Sequence, residues 1–167
     1  AIAPHGEGEE GGTVMEKLLH LLESDCSLST KQLAAMVGTS EDKVRDDMAR
    51  YEKEHIILGY KAVIDWDAVN REDVTALIEV KVEPQRGNGF DRVAERIFQY
   101  EEVESCYLMS GDFDMCVILS GKTLREVALF VSQKLSAIDE VKATATHFIL
   151  KKYKENHLIF AKQEKQE

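Results

Sequence analysis

Apolar positions follow a helical period over the first third of the chain, then switch to a mixture of alternation and helical stripes. Val14, Leu18, Leu21 and Leu22, widened by Met15 and Leu19, form one stripe of a helix that begins at Thr13 and stops at Ser24-Asp25. Residues 29–58, STKQLAAMVGTSEDKVRDDMARYEKEHIIL, continue the helical reading. Ser29 or Thr30 can cap a short helix with Leu33, Ala34 and Val37 on one face, Gly38 supplies a sharp turn, and Thr39 or Ser40 caps a longer helix carrying Val44, Met48 and Tyr51. A small residue where two helices cross, followed by a glycine turn, is the signature of a helix-turn-helix, whose second helix enters the DNA major groove. The first helix is expected to cover the back of this pair and complete a three-helix core. Gly59 breaks the pattern. Tyr60 to Asp65 then alternates like a strand and leads through Trp66 to Asn70, a hinge.

From Val74 the chain reads as alternating strands and helices. Ala76, Ile78, Val80 and Val82 alternate with Leu77, Glu79, Lys81 and Glu83 in a half-buried strand stopped by Pro84, and QRGNG is a loop. Phe90, Val93, Ala94, Ile97 and Phe98 mark an amphipathic helix. Val103 to Met109 and Phe113 to Leu119 are strands around the turn Ser110-Gly111-Asp112. Thr123 caps a helix lined by Leu124, Val127, Ala128, Val131, Leu135 and Ile138, and Val141 to Lys152 is the last strand. The order β-α-β-β-α-β is the split βαβ, ferredoxin-like arrangement, with both helices on one face of an antiparallel sheet. The fold class is therefore α+β: an N-terminal helix-turn-helix (winged-helix-like) domain and a C-terminal ferredoxin-like βαββαβ domain. Alternation puts Thr144, Thr146, Phe148 and Leu150, with Leu77, on the open face of the sheet, and His147 with Ala145 and Ile149 under the helices. An open face this apolar predicts a dimer packed sheet to sheet.

Charge complicates the first domain. The chain carries a net charge of −10, and the second helix sets Glu41, Asp42, Asp46, Asp47, Glu52 and Glu54 against Lys43, Arg45, Arg50 and Lys53. A reader of DNA gains affinity by neutralising phosphates, so this helix predicts weak binding. Thr39, Ser40, Lys43, Arg45 and Arg50 are the candidate DNA contacts, and Asp46 and Asp47 can instead pair with Lys43 and Arg50. The three cysteines, Cys26, Cys106 and Cys116, show no C-x-x-C spacing and read as reduced, mostly buried thiols of a cytoplasmic protein. No run approaches the ~20 apolar residues of a membrane span. No pattern points to a catalytic residue, a metal site or a cofactor: His20 reads as a surface residue and His147 as a core histidine. Residues 1–12, AIAPHGEGEEGG, read as a flexible tail in which His5 is inert, residues 156–167 as a C-terminal tail, and Lys151-Lys152-Tyr153-Lys154 as a solvated strand end.

These segments together resemble the Lrp/AsnC family of prokaryotic transcription regulators. The resemblance runs from residue 14 to about 155 and is carried by LAAMVGTSEDKVRDDMARYEKEHII with GYKAVID, by the hairpin LMSGDFDMCVIL with its Gly-Asp-aromatic-Asp turn, and by VKATATHFILKK with its Thr-x-Thr pair. It implies residues 13–58 as the DNA-binding domain, 59–73 as strand and hinge, and 74–155 as an amino-acid-sensing and oligomerisation domain. It also implies assembly as dimers and octamers, with the effector in a cleft lined by the turn and the last strand. The departure is Asp46-Asp47, where family members commonly show two basic residues. In the turn, Ser110, Gly111, Asp112 and Asp114 combine free amides for a carboxylate with carboxylates for an ammonium, and the hydroxyls of Thr144 and Thr146 face the same cleft. The expected function is a DNA-binding regulator that senses an amino acid. The alternatives are a metabolite-binding assembly protein with weak or no DNA binding, and an enzyme of the sirohaem decarboxylase layout, which no motif favours.

Overall fold

Side-chain caps set the helices of the N-terminal unit in the computed structural model, which describes residues 13–69, 73–83, 89–121 and 123–160. The expected tails at 1–12 and 161–167, His5, Pro84 and the end of the hinge at Asn70 lie outside the described residues, as does most of the QRGNG loop. Thr13 and Glu16 bond each other's backbone N–H groups, a capping box that starts α1, Val14–Ser24. Ser29 and Gln32 repeat the box before α2, Thr30–Val37. Gly38 then adopts a left-handed φ of 77°, and its N–H and that of Thr39 both return to the Ala34 carbonyl. The chain thus turns directly into α3, Glu41–Lys53, capped by Ser40 through the Lys43 N–H. Ser29 and Ser40 are therefore the caps. Thr30 instead donates to the Glu41 carboxylate at 2.6 Å, tying the start of α2 to that of α3.

Leu18, Leu22, Leu33, Ala34, Val44 and Tyr51 are buried together, with Leu19, Leu21, Val37 and Met48 packed around them. This is the expected three-helix core, although Val14 and Met15 stay exposed. The expected strand at 60–65 is absent. An alternating pattern becomes a strand only beside a second one, and this segment has no ladder partner among the described residues. For the same reason this unit shows no wing strand among the described residues. A 3-10 turn, Asp67–Val69, follows.

The chain divides into two compact units, Ala1–Val63 and Ile64–Glu167. The second contains β1 (Val74–Val82), α4 (Phe90–Phe98), β2 (Val103–Leu108), β3 (Met115–Gly121), α5 (Leu124–Phe130, continued by a π turn at Val131–Leu135) and β4 (Val141–Phe148). The antiparallel sheet has the order β2-β3-β1-β4, as the split βαβ arrangement requires. Ala76, Ile78 and Val80 of β1 and Met115, Val117 and Leu119 of β3 are buried against Val93 and Ile97 of α4 and Val127, Phe130 and Leu135 of α5 and its π turn. Leu124 and Ala128 are exposed, so the buried stripe of α5 is narrower than expected. The expected long last strand ends at Phe148, and a separate hairpin, β5 (Lys154–Glu155) with β6 (Leu158–Ile159), follows where a tail was expected.

The last strand faces the other way from the expectation. Thr144 lies opposite Val80, Thr146 opposite Ile78 and Phe148 opposite Ala76. Directly opposed residues share a face, so these three point to the helix-covered side, at the sheet edge. Ala143, Ala145 and His147, opposite Lys81, Glu79 and Leu77, occupy the open face. The cause is an irregularity at Lys142: Lys81 pairs with Ala143, but Val82 pairs with Val141, so one residue of β4 is skipped. Val141 packs on the helix side, and unbroken alternation from it would have carried 143, 145 and 147 there too. His147 is accordingly no core histidine. It is exposed, with Nε2 3.2 Å from Glu79. Leu150 lies beyond the strand and is almost fully exposed. The open face instead carries Leu77, Ile118 and Cys116, with Tyr107 opposite Cys116 on the neighbouring strand.

Candidate functional site

Two groups of candidate residues can be built from this frame, one in each unit. In α3 the basic side chains are held by acids of their own helix. Lys43 Nζ lies 3.2 Å from Asp47, Arg45 lies 3.3 Å from Glu41 and 3.1 Å from Asp42, and Arg50 lies 2.9 Å from Asp47. Arg50 also donates to the Tyr51 hydroxyl at 3.3 Å and sits over the Tyr51 ring. That hydrogen bond first, then the carboxylates of Asp47 and Glu54, holds the guanidinium above its ordinary pKa. Asp47 is the hub: it is 8% exposed and sits between Lys43 one turn before it and Arg50 one turn after. Asp46 is exposed and has no partner among the described residues. Of the remaining candidates, Ser40 is engaged as the cap and Thr39 is half-buried at the turn.

In the second unit the turn between β2 and β3 is built around Asp114. Its N–H donates to the Val80 carbonyl at 3.1 Å, its carbonyl accepts from the Met109 N–H at 2.8 Å, and its Oδ2 accepts from the Val82 N–H at 2.7 Å. Ser110, Gly111 and Asp112 form the exposed tip. Gly111 has a positive φ of 159°, which side chains rarely adopt, so a substitution there is strained although a Cβ would meet no atom within 4 Å. Thr144 faces Val80 from the far side of β1, so it lies one strand away from the strand edge that receives Asp114, and Thr146 is two residues further along. Both threonines are half-buried at the sheet edge on the helix side. The candidates thus gather around the end of β1, without a direct contact between the threonines and the tip.

Sequence reasoning missed the Val82 amide, which shows no side-chain signature, and it missed a cavity at the opposite end of β3. That cavity, of about 1020 Å³, is lined by Tyr100, Glu102, Ser120, Phe130 and Lys134 among others. Lys134 Nζ lies 5.0 Å from the Tyr100 ring and 5.3 Å from Phe130, and it pairs with Glu102, whose carboxyl is held below its usual range by that hydrogen bond. The rings therefore already carry an internal cation. Cys106 and Cys116 lie in neighbouring strands on opposite faces; burial raises both thiols above their ordinary range, so they stay protonated at neutral pH. Cys26 is exposed, Cys106 half-buried and Cys116 buried, where mostly buried thiols were expected. Among the described residues no helix is long and apolar enough to cross a membrane, and no cluster of three or more His, Cys, Asp or Glu could hold a metal ion.

The second unit is a βαββαβ domain, and a helical unit precedes it in the chain. Residues 75–159 match the family model of the Lrp/AsnC ligand binding domain. Over 145 residues the chain is 47% identical to the uncharacterized HTH-type transcriptional regulator YugG of Bacillus subtilis, covering 86% of this chain and 87% of that protein. The chain belongs to the Lrp/AsnC family, whose members among its relatives are named transcriptional regulators rather than enzymes. The fold is also similar to the leucine response regulatory protein LrpA of Mycobacterium tuberculosis, with a TM-score of 0.74 and 21% identity over 90% of this chain and 99% of that one. A transcriptional regulator of Neisseria meningitidis in complex with L-Met has a TM-score of 0.66 and 21% identity over 86% of this chain and 92% of that one.

Proposed function

We propose that this chain is a DNA-binding transcription regulator of the cytoplasm that senses an amino acid through its C-terminal domain and works as a homo-oligomer. The observation that carries the reading is the β2–β3 turn of a ligand-binding domain. Its tip exposes the Gly111 backbone and the Asp112 carboxylate, the two polarities that a zwitterionic amino acid needs. The L-Met complex of the Neisseria regulator supports the ligand class. Ser110, Gly111, Asp112 and Asp114 form the effector turn, with Thr144 and Thr146 as its neighbours across β1. Sheet-to-sheet dimerisation would use Leu77, Ile118 and their neighbours, and dimers would join into larger assemblies such as an octamer. The effector acts by linkage: it binds one assembly state better and so shifts the placement of paired DNA-reading helices.

The helices α2 and α3 form the helix-turn-helix, with Thr39, Ser40, Lys43, Arg45 and Arg50 toward DNA. A second reading, an assembly protein with weak or no DNA binding of its own, is favoured by one observation: Lys43, Arg45 and Arg50 are each already paired within α3. Fluorescence anisotropy with a labelled promoter fragment at low salt separates the two. Saturable binding that weakens steeply with salt supports the regulator, and its absence supports the second reading. Light scattering at micromolar concentration is expected to give a dimer mass or larger; a monomer mass removes the sheet-to-sheet dimer.

A further inference from the structure

We propose that Asp114 is a positioning residue of the effector turn, and that Asp112 is the carboxylate that meets the ammonium group of a bound α-amino acid. This rests on the effector reading above and assigns separate work to two acids that are two residues apart. β3 begins at Met115, opposite Val80, so the Val82 N–H projects past the end of that strand with no β3 residue facing it. Asp114 Oδ2, 2.7 Å away, takes the place of the missing strand carbonyl. Val82 is 8% exposed, so its N–H has little access to water. On its other side Val82 pairs with Val141 at the β4 irregularity, so the Asp114 bond is a fixed point where the β3 ladder gives out and the β4 ladder shifts register. Through its own N–H and carbonyl Asp114 also closes the turn onto Val80 and Met109. All three of its polar groups therefore act on the protein itself, and together they set the backbone that carries Ser110, Gly111 and Asp112. Asp112 is exposed at the tip and has no hydrogen-bond partner among the described residues, so its carboxylate is free for a cation.

The two roles separate under amide substitution. An asparagine at 114 keeps an acceptor oxygen for Val82 and loses only the charge, whereas alanine loses both. The experiment is a thermal-shift screen of the twenty amino acids on the parent, followed by calorimetry of the strongest binder on folded Asp114→Asn, Asp114→Ala and Asp112→Asn proteins. Amide hydrogen exchange at Val82 is measured on the same ligand-free samples. Asp114→Asn is expected to bind within about threefold of the parent. Asp114→Ala and Asp112→Asn are expected to lose roughly ten- to a hundredfold, the range of one hydrogen bond to a charged group. Val82 exchange should quicken in Asp114→Ala and stay slow in Asp114→Asn. If Asp114→Asn loses as much affinity as Asp114→Ala, the Asp114 charge meets the ligand and the assignment is overturned. Unchanged Val82 protection in Asp114→Ala overturns it without reference to any ligand. A parent that responds to none of the twenty amino acids instead overturns the effector reading, and with it the role given to Asp112.

Discussion

Asp46 and Asp47 in α3, and Asp112 and Asp114 in the β2–β3 turn, divide in the same way although one pair lies on a helix and the other in a hairpin. In each pair one carboxylate is spent inside the fold and its neighbour is left to solvent. Asp47 bridges Lys43 and Arg50, and Asp114 caps the Val82 amide. Asp46 and Asp112 are exposed. The difference between the regions lies in what the inner acid controls. In α3 it neutralises the cations that DNA would need, so under the proposed function the inner acid opposes DNA binding. In the turn it fixes backbone that a ligand would need, so the inner acid supports function.

Reversing the inner acid of the helix breaks this comparison most sharply. Asp47→Arg places a bulky cation in a slot that is 8% exposed, between two other cations. It is expected to destabilise the N-terminal unit by ~2–3 kcal/mol, read by urea denaturation. Asp46→Arg should stay within about 0.5 kcal/mol of the parent. Equal effects at the two positions would dissolve the distinction between them.

In the turn the corresponding contrast is smaller. Asp114→Ala leaves the Val82 amide unsatisfied and should cost ~1–3 kcal/mol, with Asp114→Asn at about 1 kcal/mol or less. Thermal or urea unfolding of the two variants side by side measures it, and equal losses would mean that the charge rather than the hydrogen bond stabilises the turn.

Asp46→Arg also sharpens the functional side. Because Asp46 has no partner among the described residues to lose, reversing it adds a phosphate contact without unpicking the helix. Affinity for a labelled promoter fragment at low salt should rise, and the slope of log K against log salt should steepen by about 0.9. An unchanged slope means that this face of α3 does not meet DNA.

The smallest effect concerns an acid paired with an ordinary internal cation. The hydrogen bond from Lys134 holds the Glu102 carboxyl below its ordinary value of 4.5, so the folded value is depressed. The stabilisation is therefore present above about pH 4.5 and is lost as pH falls through the lower folded value. The melting temperature of the parent should exceed that of Glu102→Gln at pH 7, with the gap narrowing below pH 4.5. The pair is partly exposed, so the gap is small and should shrink in high salt.

The elements whose signals are local were legible in the sequence. Caps at Ser29 or Thr30 and at Thr39 or Ser40 (Ser29 and Ser40 in the structure), the glycine turn at Gly38 and the helical stripe of Leu18 and Leu22 depend on neighbours within a turn or two. The alternation of β1 was legible because its inner positions are all apolar and its outer ones mostly polar. What was not legible depended on partners far along the chain. The face of β4 runs against its pattern because one skipped residue at Lys142, set by pairing with β1, inverts every side chain beyond it. Residues 60–65 have the pattern of a strand but no neighbour to pair with among the described residues. Asp47 has the spacing of a surface acid, and only its burial beside Val44 and Tyr51 shows otherwise. The bond from Val82 to Asp114 spans 32 residues and involves a backbone amide, which the sequence does not reveal.

The central claim, that the turn between β2 and β3 binds an amino acid, is tested most directly by a thermal-shift screen of the twenty amino acids on the parent and on Gly111→Val. A Cβ at Gly111 meets no protein atom within 4 Å, so valine crowds no neighbour, but the φ of 159° strains any side chain there, and the comparison is made on a Gly111→Val protein that keeps the parent's fold. At a hundred times its dissociation constant a bound amino acid should stabilise the parent by ~2.7 kcal/mol. The account predicts a clear shift for at least one amino acid in the parent and its loss in Gly111→Val, with both proteins folded. A shift of equal size in both proteins would place the effector elsewhere and contradict the account.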